Sequence, residues 1–204
     1  MKRTILMLAA AVLAAGCAPK GGPETQTVSF DEVLTSRRSI RDYDASKTIS
    51  EAEVRALLEA TQDAPSWANT QTTRYYVAMS PEKVAAAKEL IGTGNAKNVA
   101  GAPVIVVSTF EKGRAGFFRG EPANEIGDGW GAYDNGLSNA YFILKARAMG
   151  FDTLIMGYRD AEALRELFQI PEEEELMAVI SLGYRASDPQ RPGRKPLDEV
   201  VKFF

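Results

Sequence analysis

Apolar positions along this chain recur in two rhythms, and the switches between them mark its elements. Ser29-Phe30-Asp31-Glu32 has capping-box spacing and predicts a short helix ending near Arg37. Ser50-Glu51-Ala52-Glu53 repeats the device, after which Val54, Leu57, Leu58 and Thr61 form one face at helical spacing. Residues 75–79 read as a strand. Ser80-Pro81 is an N-cap with proline at the first helical position, leading a helix through residues 90–91 to Gly92. The β-branched run over 103–108 suits a strand buried on both faces. A long helix is predicted over 133–149, stopped by Gly150, then a short strand over 153–156, a helix over 161–168 and a last apolar strand over 176–182. Helices and strands in this order predict an α+β domain with a central sheet between helices.

Two segments fall outside these rhythms. Residues 111–129 are Gly-rich and aromatic without periodicity, the character of a lid, a binding loop or a disordered stretch. Residues 184–204 are basic in the middle (Arg185, Arg191, Arg194, Lys195) and end in Val200-Val201-Lys202-Phe203-Phe204, an apolar terminus that wants a partner surface. The start of the chain reads as an address. Lys2 and Arg3 precede a short apolar stretch, and Leu13-Ala14-Ala15-Gly16-Cys17 looks like a bacterial lipobox, the alternatives being a plain cleaved signal or a membrane anchor with an incidental cysteine. The expected organisation is a lipoprotein signal peptide over 1–16, a lipidated Cys17 and flexible tether over 17–28, and one domain over 29–204. The expected location is a bacterial membrane, on its periplasmic or cell-surface side, through lipid on Cys17. Cleavage moves the formal charge from -3 to -5, and net acidity argues against a general nucleic-acid binder.

The chain has no histidine and one cysteine, Cys17. Serine–histidine and cysteine–histidine catalysis are excluded, as are the usual Cys/His zinc sites, and no metal ligands are assigned. Carboxylate-only hydrolysis or Mg2+ binding stays open with 27 acidic residues, but no tight Asp/Glu constellation stands out, so for an enzyme a bound cofactor is the expected source of reactivity. Arg37-Arg38-Ser39-Ile40-Arg41 sets three guanidiniums and a hydroxyl where they can cradle a dianionic phosphate. Asn69 and Gln71, in Pro65-Ser66-Trp67-Ala68-Asn69-Thr70-Gln71, can read the amide-like edge of a planar heterocycle. FMN is one ligand that needs both. Each group also has a plain reading: the arginines as a solvated helix end, Asn69 and Gln71 as loop-backbone partners.

In order and spacing these segments resemble the nitroreductase family of FMN-dependent oxidoreductases, from about Phe30 to the C-terminus. Arg37-Arg38-Ser39-Ile40-Arg41 matches the family's Arg-x-Ser-x-Arg opening, and Pro65, Ser66, Asn69 and Gln71 match the segment near the flavin ring. Asp134-x-Gly136 and Gly150-Phe151-Asp152-Thr153 sit where the family places a helix and a strand. Ile155-Met156-Gly157 matches the turn whose backbone amide faces flavin N5, the plain reading being a strand end. Arg194-Lys195-Pro196-Leu197 resembles the ending that returns positive charge to the phosphate. Thr72-Thr73 departs from the Pro-Trp common at that point.

The resemblance implies a three-layer fold with a mainly antiparallel sheet. It also implies a homodimer with FMN at the interface, and a tail over 184–204 that extends the partner's sheet. It implies ping-pong transfer from a reduced donor such as NAD(P)H to an electron-poor acceptor such as a nitroaromatic or quinone. Phe117, Phe118 and Trp130 are candidate substrate-lid residues or core packing. The competing class is an exported lipoprotein that binds FMN or another phosphorylated ligand without turnover.

Overall fold

The computed structural model describes residues 28–204, so the predicted signal peptide, Cys17 and the tether up to residue 27 lie outside the described residues. Helix α1 (Phe30–Ser36) starts where Ser29 accepts from the Glu32 N–H, and α2 (Glu51–Glu59) carries a complete Ser50/Glu53 capping box. Strand β1 (Thr73–Ala78) leads to α3 (Pro81–Glu89), capped by Ser80, and to a short α4 (Thr93–Asn98). Then come β2 (Val104–Glu111), a small hairpin β3 (Phe117–Phe118) and β4 (Glu121–Pro122), α5 (Gly129–Ala148), β5 (Asp152–Met156), α6 (Ala161–Phe168) and β6 (Glu174–Gly183).

The main sheet has the order β1-β2-β6-β5, with every pair antiparallel. Alternation along β2 splits the core in two, as the continuous apolar run requires. Ile105 and Val107 pack with Val84, Ile91 and Leu164 from α3, its C-terminal turn and α6. Val104 and Val106 face Val54, Leu57 and Phe142 from α2 and α5. Helices thus cover both faces of an antiparallel sheet, the expected three-layer α+β fold. β1 is one edge of the sheet. At the other edge a parallel bridge joins Ser39 to Thr153, with the Ile40 N–H donating to the Thr153 carbonyl at 3.0 Å.

Helix α5 turns polar side chains inward. Asn139 Nδ2 donates to Ser108 Oγ (3.0 Å) and Asn135 Oδ1 (2.8 Å), and Asn135 Nδ2 donates to the Thr109 carbonyl (2.9 Å). The Tyr75 hydroxyl lies 2.8 Å from Ser138 Oγ, and burial pushes its pKa up to about 12. These buried amides and hydroxyls are paired, which removes most of their desolvation cost and fixes the rotation of α5 on the sheet. Its outward stripe, Tyr133, Gly136, Leu137, Ala140, Tyr141 and Leu144, is uncharged as far as Arg147 in the last turn, and Tyr133 is 59% exposed.

Candidate functional site

The basic run sits where α1 stops. Arg37 is the C-cap, in extended backbone, and the chain continues beside β5 with Ile40 buried and Ser39 and Arg41 exposed. Arg38 Nη1 donates to the carbonyls of Thr35 (2.6 Å) and Arg37 (2.9 Å), while its Nε is buried without a partner. The tail returns Arg194 to this place: burial, then the charges of Arg194 and Arg38, hold the Arg37 guanidinium below its ordinary pKa. Among the described residues, no carboxylate lies within 4.0 Å of Arg37, Arg38, Arg41, Arg194 or Lys195. Like charges gathered without counter-ions, with a donor left over, fit a bound dianion such as a phosphate monoester. Among the described residues Arg41 bonds only the Ser39 carbonyl (3.3 Å), and Lys195 is exposed.

What holds this cradle is a cluster that sequence reasoning missed. Asp152, at the start of β5, has a side chain only 2% exposed. Arg185 grips it with Nε to Oδ2 (2.8 Å) and Nη2 to Oδ1 (2.6 Å), and Arg147 Nη1 reaches Oδ1 at 3.5 Å. The same two arginines hold Ser36: Arg185 Nη2 donates to its carbonyl (3.2 Å) and Arg147 Nε to its hydroxyl (3.0 Å). The residue before Arg37 is therefore clamped to α5, β5 and the end of β6. The signal was an aspartate set between Phe151 and Thr153 in a strand buried everywhere but at Ile155.

The turn after β5 lies along the same sheet edge. Met156 is buried, Ile155 is 45% exposed and Gly157 is exposed. A Cβ added at Gly157 would meet nothing within 4 Å, so a planar ring can approach the backbone there.

Pro65, Ser66, Asn69 and Gln71 are elsewhere. Trp67 N–H donates to Asp134 Oδ2 (2.8 Å) near the start of α5, whereas Ser36 is held by Arg147 near its end. Thirteen residues of helix separate the two anchors, about 20 Å at 1.5 Å per residue. Among the described residues no hydrogen bond or ion pair links the two segments. The 65–71 segment is strained: Ala68, Asn69 and Gln71 supply three of the five non-glycine positive φ values among the described residues. Each costs on the order of 1–2 kcal/mol, and such strain persists where the surroundings enforce it. Here Ser66 Oγ accepts from the Gln71 N–H (3.0 Å), Gln71 Nε2 donates to Asn69 Oδ1 (3.2 Å), and Trp67 packs on Trp130 with centroids 4.7 Å apart. Thr72, at the Pro-Trp departure, is fully buried, and its carbonyl accepts from the Glu111 N–H (3.1 Å), so the turn is tied down without the aromatic.

The segment over 111–129 is ordered as the β3–β4 hairpin and joins this second region. Trp130 Nε1 donates to Asn124 Oδ1 (3.0 Å), Phe117 is half-buried and Phe118 is 68% exposed. A cavity of about 630 Å³ opens beside it, lined by Pro65, Ser66, Gln71, Tyr75, Asp134 and Ser138. Desolvation raises the Asp134 pKa against the Trp67 hydrogen bond that lowers it.

YdgI of Bacillus subtilis (strain 168), named as a candidate NAD(P)H nitroreductase, is 27% identical over 207 residues, covering 87% of this chain and 99% of its own. A Thermus thermophilus protein named NADH dehydrogenase is 28% identical over 189 residues, 81% of this chain and 91% of its own. A solved structure of a candidate nitroreductase from Exiguobacterium sibiricum, in complex with FMN, superposes with a TM-score of 0.77 at 23% identity, covering 86% of this chain and 97% of that one. Residues 34–184 match the model of the nitroreductase family, well over half of the sequence, and the chain belongs to that family.

Proposed function

We propose that this protein is an FMN-dependent oxidoreductase that takes hydride from a reduced nicotinamide and passes it to an electron-poor acceptor such as a nitroaromatic or quinone. The carrying observation is the meeting of Arg37, Arg38 and Arg194 without a carboxylate, with Arg38 Nε unpartnered, beside the open turn at Gly157. Arg37, Arg38 and Arg194 hold the phosphate, with Ser39, Arg41 and Lys195 at its rim. Ile155, Met156 and Gly157 present backbone to the ring. When bound, FMN supplies the hydride chemistry, for which this histidine-free chain has no side-chain substitute. The names of YdgI and of the Thermus relative support a nicotinamide donor. Donor and acceptor alternate over one open face, a ping-pong order.

The site is completed by a second copy. Pro65, Ser66, Asn69 and Gln71 stand about 20 Å along α5 from their own cradle, and the uncharged outer stripe of α5 is suited to pack on its twin about a two-fold axis. Phe117, Phe118 and Trp130 then cover the partner's site. Phe203 and Phe204 are 87% and 114% exposed, and β1 is an unpaired edge flanked by a groove of Val54, Leu58, Val77 and Met79. That groove suits the partner's tail, added as a strand. The lipobox ending at Cys17 supports export and lipid anchoring of this catalyst.

The test is anaerobic. Purified yellow protein that bleaches with NADH or NADPH and recolours with a quinone or nitroaromatic is the enzyme proposed. Protein that stays oxidised with every donor is the exported flavin binder instead.

A further inference from the structure

Arg159 takes no part in the cradle, yet it lies directly behind the open turn. Its Nη1 donates to the Gly157 carbonyl at 2.6 Å, its Nη2 donates to the Leu176 carbonyl on β6, and its Nε is buried without a partner. Among the described residues no carboxylate lies within 4.0 Å of it. The acid next to it in sequence, Asp160, is engaged as the N-cap of α6, accepting from the Ala163 N–H at 3.0 Å. The guanidinium is a partly buried cation balanced only by two carbonyl dipoles. Such charges are costly to keep unless something gains from them.

The turn itself is otherwise firmly held. The Asp160 N–H donates to the Leu90 carbonyl (2.7 Å), and Asn95 Nδ2 donates to the Tyr158 carbonyl (3.3 Å). A merely structural tie could be neutral. What an arginine adds is polarisation and charge. Donation to the Gly157 carbonyl polarises the Gly157–Tyr158 peptide and fixes its plane, which sets how the preceding Gly157 N–H is presented. A fixed cation also favours any neighbour that becomes more negative.

Resting on the reading of this turn as the wall beside the flavin ring, we propose that Arg159 is a positioning residue that orients the Gly157 peptide and raises the reduction potential of the bound flavin. Hydride from a nicotinamide leaves the donor oxidised and adds one negative charge to the ring, a change that a cation behind the turn favours. The residue acts through the peptide and through its field, not by touching substrate.

The experiment measures the midpoint potential of the bound flavin by spectroelectrochemistry in FMN-loaded wild type, R159K, R159Q and R159M, with thermal unfolding of each apo form. The expected result is a loss of about tenfold or more in the reduction equilibrium constant for R159M and R159Q, roughly 30 mV for a two-electron couple. R159K should recover most of it. Should R159M fail to fold, R159Q, which keeps a carbonyl-directed donor without charge, carries the comparison. Unchanged potentials in R159Q or R159M with flavin fully bound overturn the proposal, as does an R159K shift equal to that of R159Q. A wild type that binds no flavin defeats the functional reading itself, before any variant is compared.

Discussion

Asp152→Asn is the sharpest perturbation the structure offers, because it changes one atom at the point where the fold and the cradle meet. The carboxylate is 2% exposed and bears a two-pronged contact from Arg185 and a longer one from Arg147, whose side chains are 18% and 26% exposed. An asparagine keeps one acceptor but turns an N–H group towards two guanidiniums. Breaking a buried pair on one side costs about 3–5 kcal/mol, and the partial exposure of the arginines places this case near the lower figure. For a domain of this size about 3 kcal/mol lowers the melting temperature by roughly 6–12 °C. The assay is urea unfolding of apo wild type, D152N, R185M and the double variant. Removing both partners should cost less than D152N alone, since only the longer-range Arg147 is then left without its carboxylate. FMN affinity should fall as well, because Ser36 loses its two arginine anchors and Arg37 follows it. A D152N protein within 0.5 kcal/mol of wild type would refute the argument that this clamp holds the cradle.

Three further outcomes are expected. Arg38→Ala and Arg194→Ala should each weaken FMN binding by one to two decades, from about 1.5–3 kcal/mol per charge-assisted contact, while Arg37→Gln should weaken binding yet stabilise the apo form by relieving repulsion; equilibrium dialysis and apo melts check both. Asp134 has a raised folded pKa, so its folded state takes up a proton more readily than the unfolded chain, and its contribution is full at low pH and lost as pH rises through the folded value. Asp134→Asn, which keeps an acceptor for the Trp67 N–H, should therefore unfold at higher urea than wild type at pH 7, with the gap closing as pH falls through that value. Deleting residues 196–204 should lower both dimer mass by light scattering and FMN occupancy, and a flavin-loaded dimer indistinguishable from the full-length protein would reject the tail's role.

The elements legible in the sequence were those whose signals are local. Ser29, Ser50 and Ser80 announced three helix starts, and Gly150, with φ of 86°, closed α5. Helix α4 went unseen because Gly94, Asn95 and Asn98 are poor helix formers; it is held by Asn95 Nδ2 on the Ile91 and Tyr158 carbonyls. The start of α5 was also read late, at 133 against the observed Gly129, since Gly129, Gly131 and the inward amides blur its apolar period. Composition and resemblance singled out the basic run and Arg194, and the structure brings Arg37, Arg38 and Arg194 close to one another. The left-handed backbone at Ala68 and Gln71 was not legible, because these residues carry no preference for it and tertiary contacts impose it. Nor was the Asp152 clamp, whose members at 36, 147, 152 and 185 meet only once the sheet has formed.

The placement of these parts along α5 has a thermodynamic consequence. One protomer carries the anion-binding end of the proposed site near Arg147 and the other half near Asp134, so a flavin that touches both halves must touch two copies. A ligand that binds the dimer and not the monomer stabilises association by RT ln(1 + [L]/Kd) for each site, about 2.7 kcal/mol at a hundredfold excess over Kd. Linkage is reciprocal, so dimer formation must in turn tighten flavin binding. The apo protomer combines every unfavourable feature at once: crowded arginines, an exposed aromatic tail and an open sheet edge. On the proposed reading, flavin neutralises the first, and a partner covers the other two. Assembly and cofactor loading are then one equilibrium, and a substitution at the groove of Val54, Leu58, Val77 and Met79, far from any phosphate, must register as a change in flavin affinity.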